Sequence, residues 1–147
     1  MSEMEVLIVE DNPHDLELTM RALRKHRLAN QIFTVSDGAE ALDFLFARGA
    51  YADRTVTAAV RVVFLDLKLP KISGLEVLRQ VKSDPRTKEI PVVVITSSAE
   101  EGDRIASYGH GVNSYVVKPI EFEAFAKTIA DLGFYWLAVN RPPRGEA

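Results

Sequence analysis

Five residues of this sequence have the side chains needed to hold and transfer a phosphoryl group, and each closes an apolar run. Glu10 and Asp11 follow "VLIV", Asp66 follows "VVFL", Thr96 ends "PVVVIT", and Lys118 ends "SYVVK" ahead of Pro119. Carboxylates brought together repel one another unless a cation or a proton intervenes. An all-oxygen set with open positions suits Mg²⁺, which keeps several waters and takes one or two carboxylates plus a phosphate oxygen. Lys118 would add positive charge from the opposite side, and Thr96 a hydroxyl donor. Such a set spreads the charge of a phosphoryl group during in-line transfer. Asp66 is then the carboxylate suited to act as nucleophile and become an aspartyl phosphate.

Each of these residues alone has a plainer reading. Glu10 and Asp11 could be solvated loop carboxylates, and Asp66 could cap a turn or pair with Lys68. Thr96 fits any strand, and Lys118 any surface. It is their joint placement at the ends of four apolar runs that the plain readings leave unexplained.

The runs that position these residues are short and rich in Val and Ile. "EVLIVE" (5–10), "QIFTV" (31–35), "VRVVFLD" (60–66), "PVVVIT" (91–96) and "SYVVK" (114–118) read as five strands. Continuous apolar runs of this length fit parallel strands covered by helices on both faces. Amphipathic segments lie between them. Asn12 can cap a helix that carries Pro13 and Asp15 in its first turn and Leu16, Met20 and Leu23 as its apolar stripe. A second helix is expected over 39–48, a third from Gly74 to Asp84-Pro85, and a fourth, polar and weaker, over 99–108. The last begins near Glu121 and carries Phe122, Phe125, Ile129, Leu132 and Trp136 at helical spacing, the first three as core. Alternating strands and helices indicate an α/β domain with a doubly wound parallel sheet. Residues 1–139 read as one domain with an extended C-terminal helix, residues 48–59 as an elaborated loop, and 140–147 as a mobile tail.

Composition narrows the functions open to such a domain. The balance of 18 basic and 21 acidic residues gives a net charge of −3, and no basic block recommends a nucleic-acid or anionic-membrane surface. No cysteine is present, which excludes disulfides, thiolate metal sites and cysteine nucleophiles. His14, His26 and His110 are too scattered to indicate a zinc site. No run of 18 apolar residues occurs, and "MSEMEVLIVE" lacks a basic region followed by a hydrophobic segment, so a cytoplasmic protein is expected.

In "VLIVEDN", "FLDLKLPKISGLEVL", "PVVVITSSAE" and "YVVKPI" the sequence resembles the receiver domains of two-component response regulators, in order and in spacing. The resemblance implies a flavodoxin-like fold, a five-stranded parallel sheet in the order 2-1-3-4-5. It implies that Asp66 accepts the phosphoryl group, that Glu10 and Asp11 hold Mg²⁺ with it, and that the backbone carbonyl of Lys68 supplies a further metal ligand. Thr96 matches the family's switch hydroxyl, Tyr115 its switch aromatic and Lys118 its lysine. Lys118-Pro119 matches a bond usually cis in the family. Gly74 matches a glycine that needs φ > 0 or a close approach. Lys68 stands where the family often has another residue.

"ASYGHGVNSYVVKP", "FYWLAVNRPP" and the loop 48–59 are similar to the small stand-alone regulators that serve cyanobacterial and bacterial phytochromes. That likeness implies a sensor histidine kinase of the bacteriophytochrome kind as partner, and a homodimer through the final helix. Phe134, Tyr135 and Trp136 are consecutive and cannot all face one side of a helix, so at least one is expected to meet solvent or a partner copy. Two enzyme readings fit less well. A haloacid-dehalogenase-type phosphatase needs a second Asp two residues past the nucleophile, where Lys68 stands. A flavodoxin-like carrier needs a Ser/Thr/Gly-rich phosphate loop after the first strand. A pseudo-receiver, a pure interaction module, would not need the complete set of Glu10, Asp11, Asp66, Thr96 and Lys118. The expected role is therefore a phosphoacceptor rather than an enzyme with turnover.

Overall fold

The computed structural model describes residues 5–25, 31–56, 60–119 and 121–143; His26, loop residues 57–59 and residues 144–147 of the expected tail lie outside them. Strands β1 (Glu5–Val9), β2 (Gln31–Val35), β3 (Val60–Leu65), β4 (Val92–Thr96) and β5 (Ser114–Val117) form one sheet in the order β2-β1-β3-β4-β5. Every pairing is parallel. The helices are α1 (Pro13–Lys25), α2 (Gly38–Leu45), α3 (Gly74–Ser83), α4 (Glu101–Gly109) and α5 (Phe122–Phe134). This is the doubly wound, flavodoxin-like arrangement expected.

The strands bury both faces because successive side chains alternate across the sheet. Leu7, Val9, Val63, Leu65, Val92 and Val94 join Leu42, Phe44, Leu78 and Val81 of α2 and α3 in one core layer. Val6, Ile8, Val62, Phe64, Val93 and Ile95 join Leu23, Phe125 and Ile129 of α1 and α5 in the other. β1, β3 and β4 are thus held centrally, and their C-terminal ends are fixed points on which a site can be built.

Caps set where the helices begin. Asn12 Oδ1 accepts the N–H groups of His14 (2.9 Å) and Asp15 (3.1 Å) at the start of α1. Asp37 caps α2 through Glu40 N–H (2.7 Å), and Ser73 caps α3 through Glu76 N–H (3.2 Å). Each oxygen satisfies a donor that the helix itself leaves unpaired. Helix α4 has no side-chain cap of this kind, and Ser107 is its one buried residue. α2 ends three residues earlier than its apolar pattern implies, with Ala47 at φ 55° just beyond.

Two expectations for the C-terminal segment need correction. Phe122 is 53 % exposed, because it stands in the first turn of α5, which is exposed throughout, while Phe125 and Ile129 one and two turns on are buried. α5 then widens into a π turn over Tyr135–Val139. Trp136, in helical phase with Phe125, Ile129 and Leu132, joins Leu137 in the core layer shared by α1 and α5, while Phe134 and Tyr135 lie outside. The elaborated loop is pinned by Arg54, whose guanidinium lies 3.7 Å from the centre of the Phe44 ring and 3.1 Å from Glu5 Oε1.

Candidate functional site

Because β1 and β3 are neighbours, the residues that close them meet at one end of the sheet. Glu10 and Asp11 leave β1, Asp66 leaves β3, and one carboxylate oxygen from each lies within 4.8 Å of the other two. Glu10 and Asp66 are buried, whereas Asp11 is exposed at the rim. Lys118 arrives from the end of β5. Its Nζ lies 2.8 Å from Glu10 Oε1, 2.8 Å from Asp15 Oδ2 and 3.0 Å from Asp66 Oδ2. The four carboxylates and the ammonium line an open cleft whose edge carries Lys68 and Ser97.

Local backbone explains the precision of this placement. Asp66 Oδ1 accepts the Lys68 N–H at 3.3 Å, and Glu10 Oε2 accepts the Asn12 N–H at 3.1 Å, so each carboxylate is turned by its own loop. Gly74 brings α3 directly under the Asp66 loop. A Cβ at Gly74 would lie 2.2 Å from the Asp66 carbonyl oxygen and 2.6 Å from Leu67 Cα. Close approach, not positive φ, is what this glycine provides. The Lys118-Pro119 bond is trans, unlike the cis form implied by the resemblance, and no cis peptide occurs among the described residues.

Charge at the site is unbalanced. Burial pushes the Glu10 carboxyl up to about 7; the hydrogen bond from Lys118 opposes this, and the nearby charge of Asp66 adds to it. Burial alone would lower the pKa of Lys118, yet its hydrogen bonds to Asp15, Glu10 and Asp66 raise it overall, which keeps it an ammonium. One ammonium against four carboxylates leaves room for a divalent cation. The donor set fits Mg²⁺: hard oxygens, no nitrogen or sulfur ligand, and an open side toward solvent where waters and a phosphate oxygen can bind.

The two switch candidates sit beside this cluster and are joined to each other. Thr96 is fully buried, and its Oγ1 accepts the Ser98 N–H at 3.3 Å. The Tyr115 hydroxyl donates to the Ser98 carbonyl at 3.0 Å, and Ser98 Oγ donates to Asp103 of α4 at 2.5 Å. Lys118 donates its backbone N–H to the Thr96 carbonyl at 2.7 Å. The structure therefore brings Glu10, Asp11, Asp66, Thr96 and Lys118 to one end of the sheet. Lys68 is at the rim with its side chain exposed. Phe134, Tyr135 and Trp136 are elsewhere, and Trp136 is core. Two residues went unassigned in the sequence. Asp15 shows there only as a first-turn acid of α1, and Ser98 only as a loop serine.

The match to known proteins agrees with this geometry. The family model for the response regulator receiver domain matches residues 6–130. The chain belongs to the response regulator receiver family. Among curated relatives of this receiver is the probable methanogenesis regulatory protein FilR2 of Methanothrix harundinacea, 41 % identical over 94 % of this chain and 86 % of that protein. Among solved structures, the phosphorylated cyanobacterial phytochrome response regulator RcpA superposes with a TM-score of 0.90 at 35 % identity, covering 98 % of this chain and 100 % of that one. The bacteriophytochrome response regulator AtBRR is 50 % identical, with a TM-score of 0.73, over 96 % and 99 % of the two chains. No helix among the described residues is long and apolar enough to cross a membrane.

Proposed function

We propose that this receiver takes a phosphoryl group onto Asp66 from a phosphohistidine of a cytoplasmic sensor kinase, of the kind that phytochromes carry. The observation that carries this reading is the convergence of Asp66 with Lys118 Nζ at 3.0 Å and with two further acidic oxygens within 4.8 Å. In the transfer, an Asp66 carboxylate oxygen attacks phosphorus as the P–N bond breaks. The departing imidazole keeps the bonding pair and takes up a proton. Lys118 orients Asp66 and offers its N–H groups to phosphoryl oxygens. Mg²⁺ held by Glu10, Asp11, Asp66 and the Lys68 carbonyl would offset the charge of the phosphoryl oxygens. The likeness to AtBRR and RcpA supports a phytochrome-type kinase as the donor.

The reply to phosphorylation is read at α4. A phosphoryl group adds nearly two negative charges and three acceptor oxygens. The Thr96 hydroxyl donates to one of them, which takes its oxygen away from the Ser98 N–H. Tyr115 then moves into the space left beside it. Ser98 loses its hold on Asp103, and the first turn of α4 is freed. Phe134, Tyr135 and Val139 are 57, 47 and 48 % exposed along the C-terminal segment and form the surface through which we place a second copy of the chain.

The test is intact mass after incubation with Mg²⁺ and acetyl phosphate, with Asp66→Asn and a chelated sample alongside. One phosphoryl group is gained by the wild type and by neither control. Steady release of inorganic phosphate at enzymatic rates would overturn the phosphoacceptor reading. Sedimentation as a monomer at micromolar concentration would overturn the dimer.

A further inference from the structure

Lys118 has three N–H donors and spends them on three carboxylates. Two of these, Glu10 and Asp66, also belong to the acidic set able to hold a metal; Asp15 does not. A cation at Glu10 and Asp66 repels the ammonium and competes for the same oxygens. Asp15 is then the acceptor that Lys118 keeps. It is well placed for this, since the Asn12 cap holds its N–H at 3.1 Å and Thr19 Oγ1 donates to its carbonyl at 2.8 Å. Its carboxylate is fixed by the first turn of α1 and reaches across to the end of β5, 103 residues away in sequence.

We propose that Asp15 is a positioning residue that divides Lys118 between two states of the site, favouring the metal-loaded unphosphorylated state and opposing the phosphorylated one. The inference rests on the phosphoacceptor reading above. With metal alone, Asp15 adds a negative charge close to the cation and draws the competing ammonium off Glu10 and Asp66. With a phosphoryl group on Asp66, the same carboxylate repels the dianion and withholds part of the charge of Lys118 from its oxygens. The two effects have opposite signs, which distinguishes Asp15 from a residue that only braces the fold.

The test uses beryllium fluoride as a phosphoryl stand-in on the Asp66 carboxylate, read by ¹⁹F NMR, and Mg²⁺ alone, read by calorimetry. In Asp15→Asn the Mg²⁺ dissociation constant rises by about threefold or more, while at saturating Mg²⁺ the beryllium fluoride constant falls by about threefold. Asp15→Ala moves both in the same directions, and Asp15→Glu, which keeps the charge, returns both toward wild type. Weaker binding of both ligands in Asp15→Asn would mean a loosened site and would overturn the inference. So would no change in either. If the wild type itself gives no bound beryllium fluoride signal, the phosphoacceptor reading fails and takes this inference with it. A wild-type signal beside an unaltered Asp15→Asn sinks the inference alone.

Discussion

Helices α3 and α4 flank the same end of the sheet and are of nearly equal length, yet they are built for different tasks. α3 begins with a Ser73 cap, buries Val77, Leu78 and Val81, and places Gly74 against the backbone that carries Asp66. α4 has no side-chain cap, buries only Ser107, and turns Ile105 (63 %) and Tyr108 (53 %) toward solvent. The first is part of the frame that holds Asp66 still. The second is tied to Thr96 and Tyr115 mainly through Ser98 and Asp103. On the proposed function, a site that holds a nucleophile rigidly and also reports on it needs one neighbour of each kind. Elements with few buried contacts open at low free energy, so they are the ones a local charge change can move.

The difference can be broken most severely from the α3 side. Leu78→Ala removes a fully buried side chain from the core and is expected to cost about 2–5 kcal/mol in a denaturant titration, because the cavity refills only in part. Gly74→Ala comes next, at about 1–3 kcal/mol, since its Cβ must displace the Asp66 carbonyl. Its distinguishing effect is on chemistry: phosphorylation by acetyl phosphate falls with the displaced Asp66 even where the protein stays folded.

A third prediction concerns pH. The Glu10 carboxyl stands at 4.5 ordinarily and at about 7 in the folded, metal-free protein. The folded state therefore binds that proton more tightly than the unfolded chain does. The stability this contributes is complete below 4.5 and is lost as pH rises through about 7. Metal needs the ionised form, so the rise in melting temperature caused by Mg²⁺ is expected to be larger at about pH 8 than at about pH 5.5. Glu10→Gln, which cannot titrate, should flatten that pH dependence. An equal Mg²⁺ effect at both pH values in the wild type would contradict the assignment. The smallest effect belongs to α4: Ile105→Ala is expected to change stability by no more than about 0.5 kcal/mol, because its side chain is already in water. A loss comparable to that of Leu78→Ala would show that α4 is packed as firmly as α3.

Much of this was legible in the sequence, for reasons that can be named. The strands announce themselves through β-branched runs, and α1 through its Asn12 cap and apolar stripe. Asp66 and Lys118 stand out because a charge ending a buried run calls for a reason. The order of the strands is not carried by those patterns and came from the family resemblance. The salt bridge from Asp15 to Lys118 left no local trace, since its two halves are separated by most of the chain and Asp15 looks like an ordinary first-turn acid of a surface helix. Trp136 shared two readings, the apolar stripe of the last helix and the terminal aromatic run, and it follows the stripe into the core while Phe134 and Tyr135 stay exposed. The Ser98–Asp103 bond was hidden for a related reason: it spans a loop and a helix start, where no periodicity applies.

The most direct test is hydrogen exchange on the wild-type protein, phosphorylated to completion with acetyl phosphate and Mg²⁺, against Asp66→Asn treated in the same way. Phosphorylation is expected to change exchange over residues 98–109, the loop and helix α4, and to leave residues 74–83 of α3 as they were. Equal changes in both helices, or a change in α3 alone, would contradict the division of the site into a rigid frame and a movable reporter.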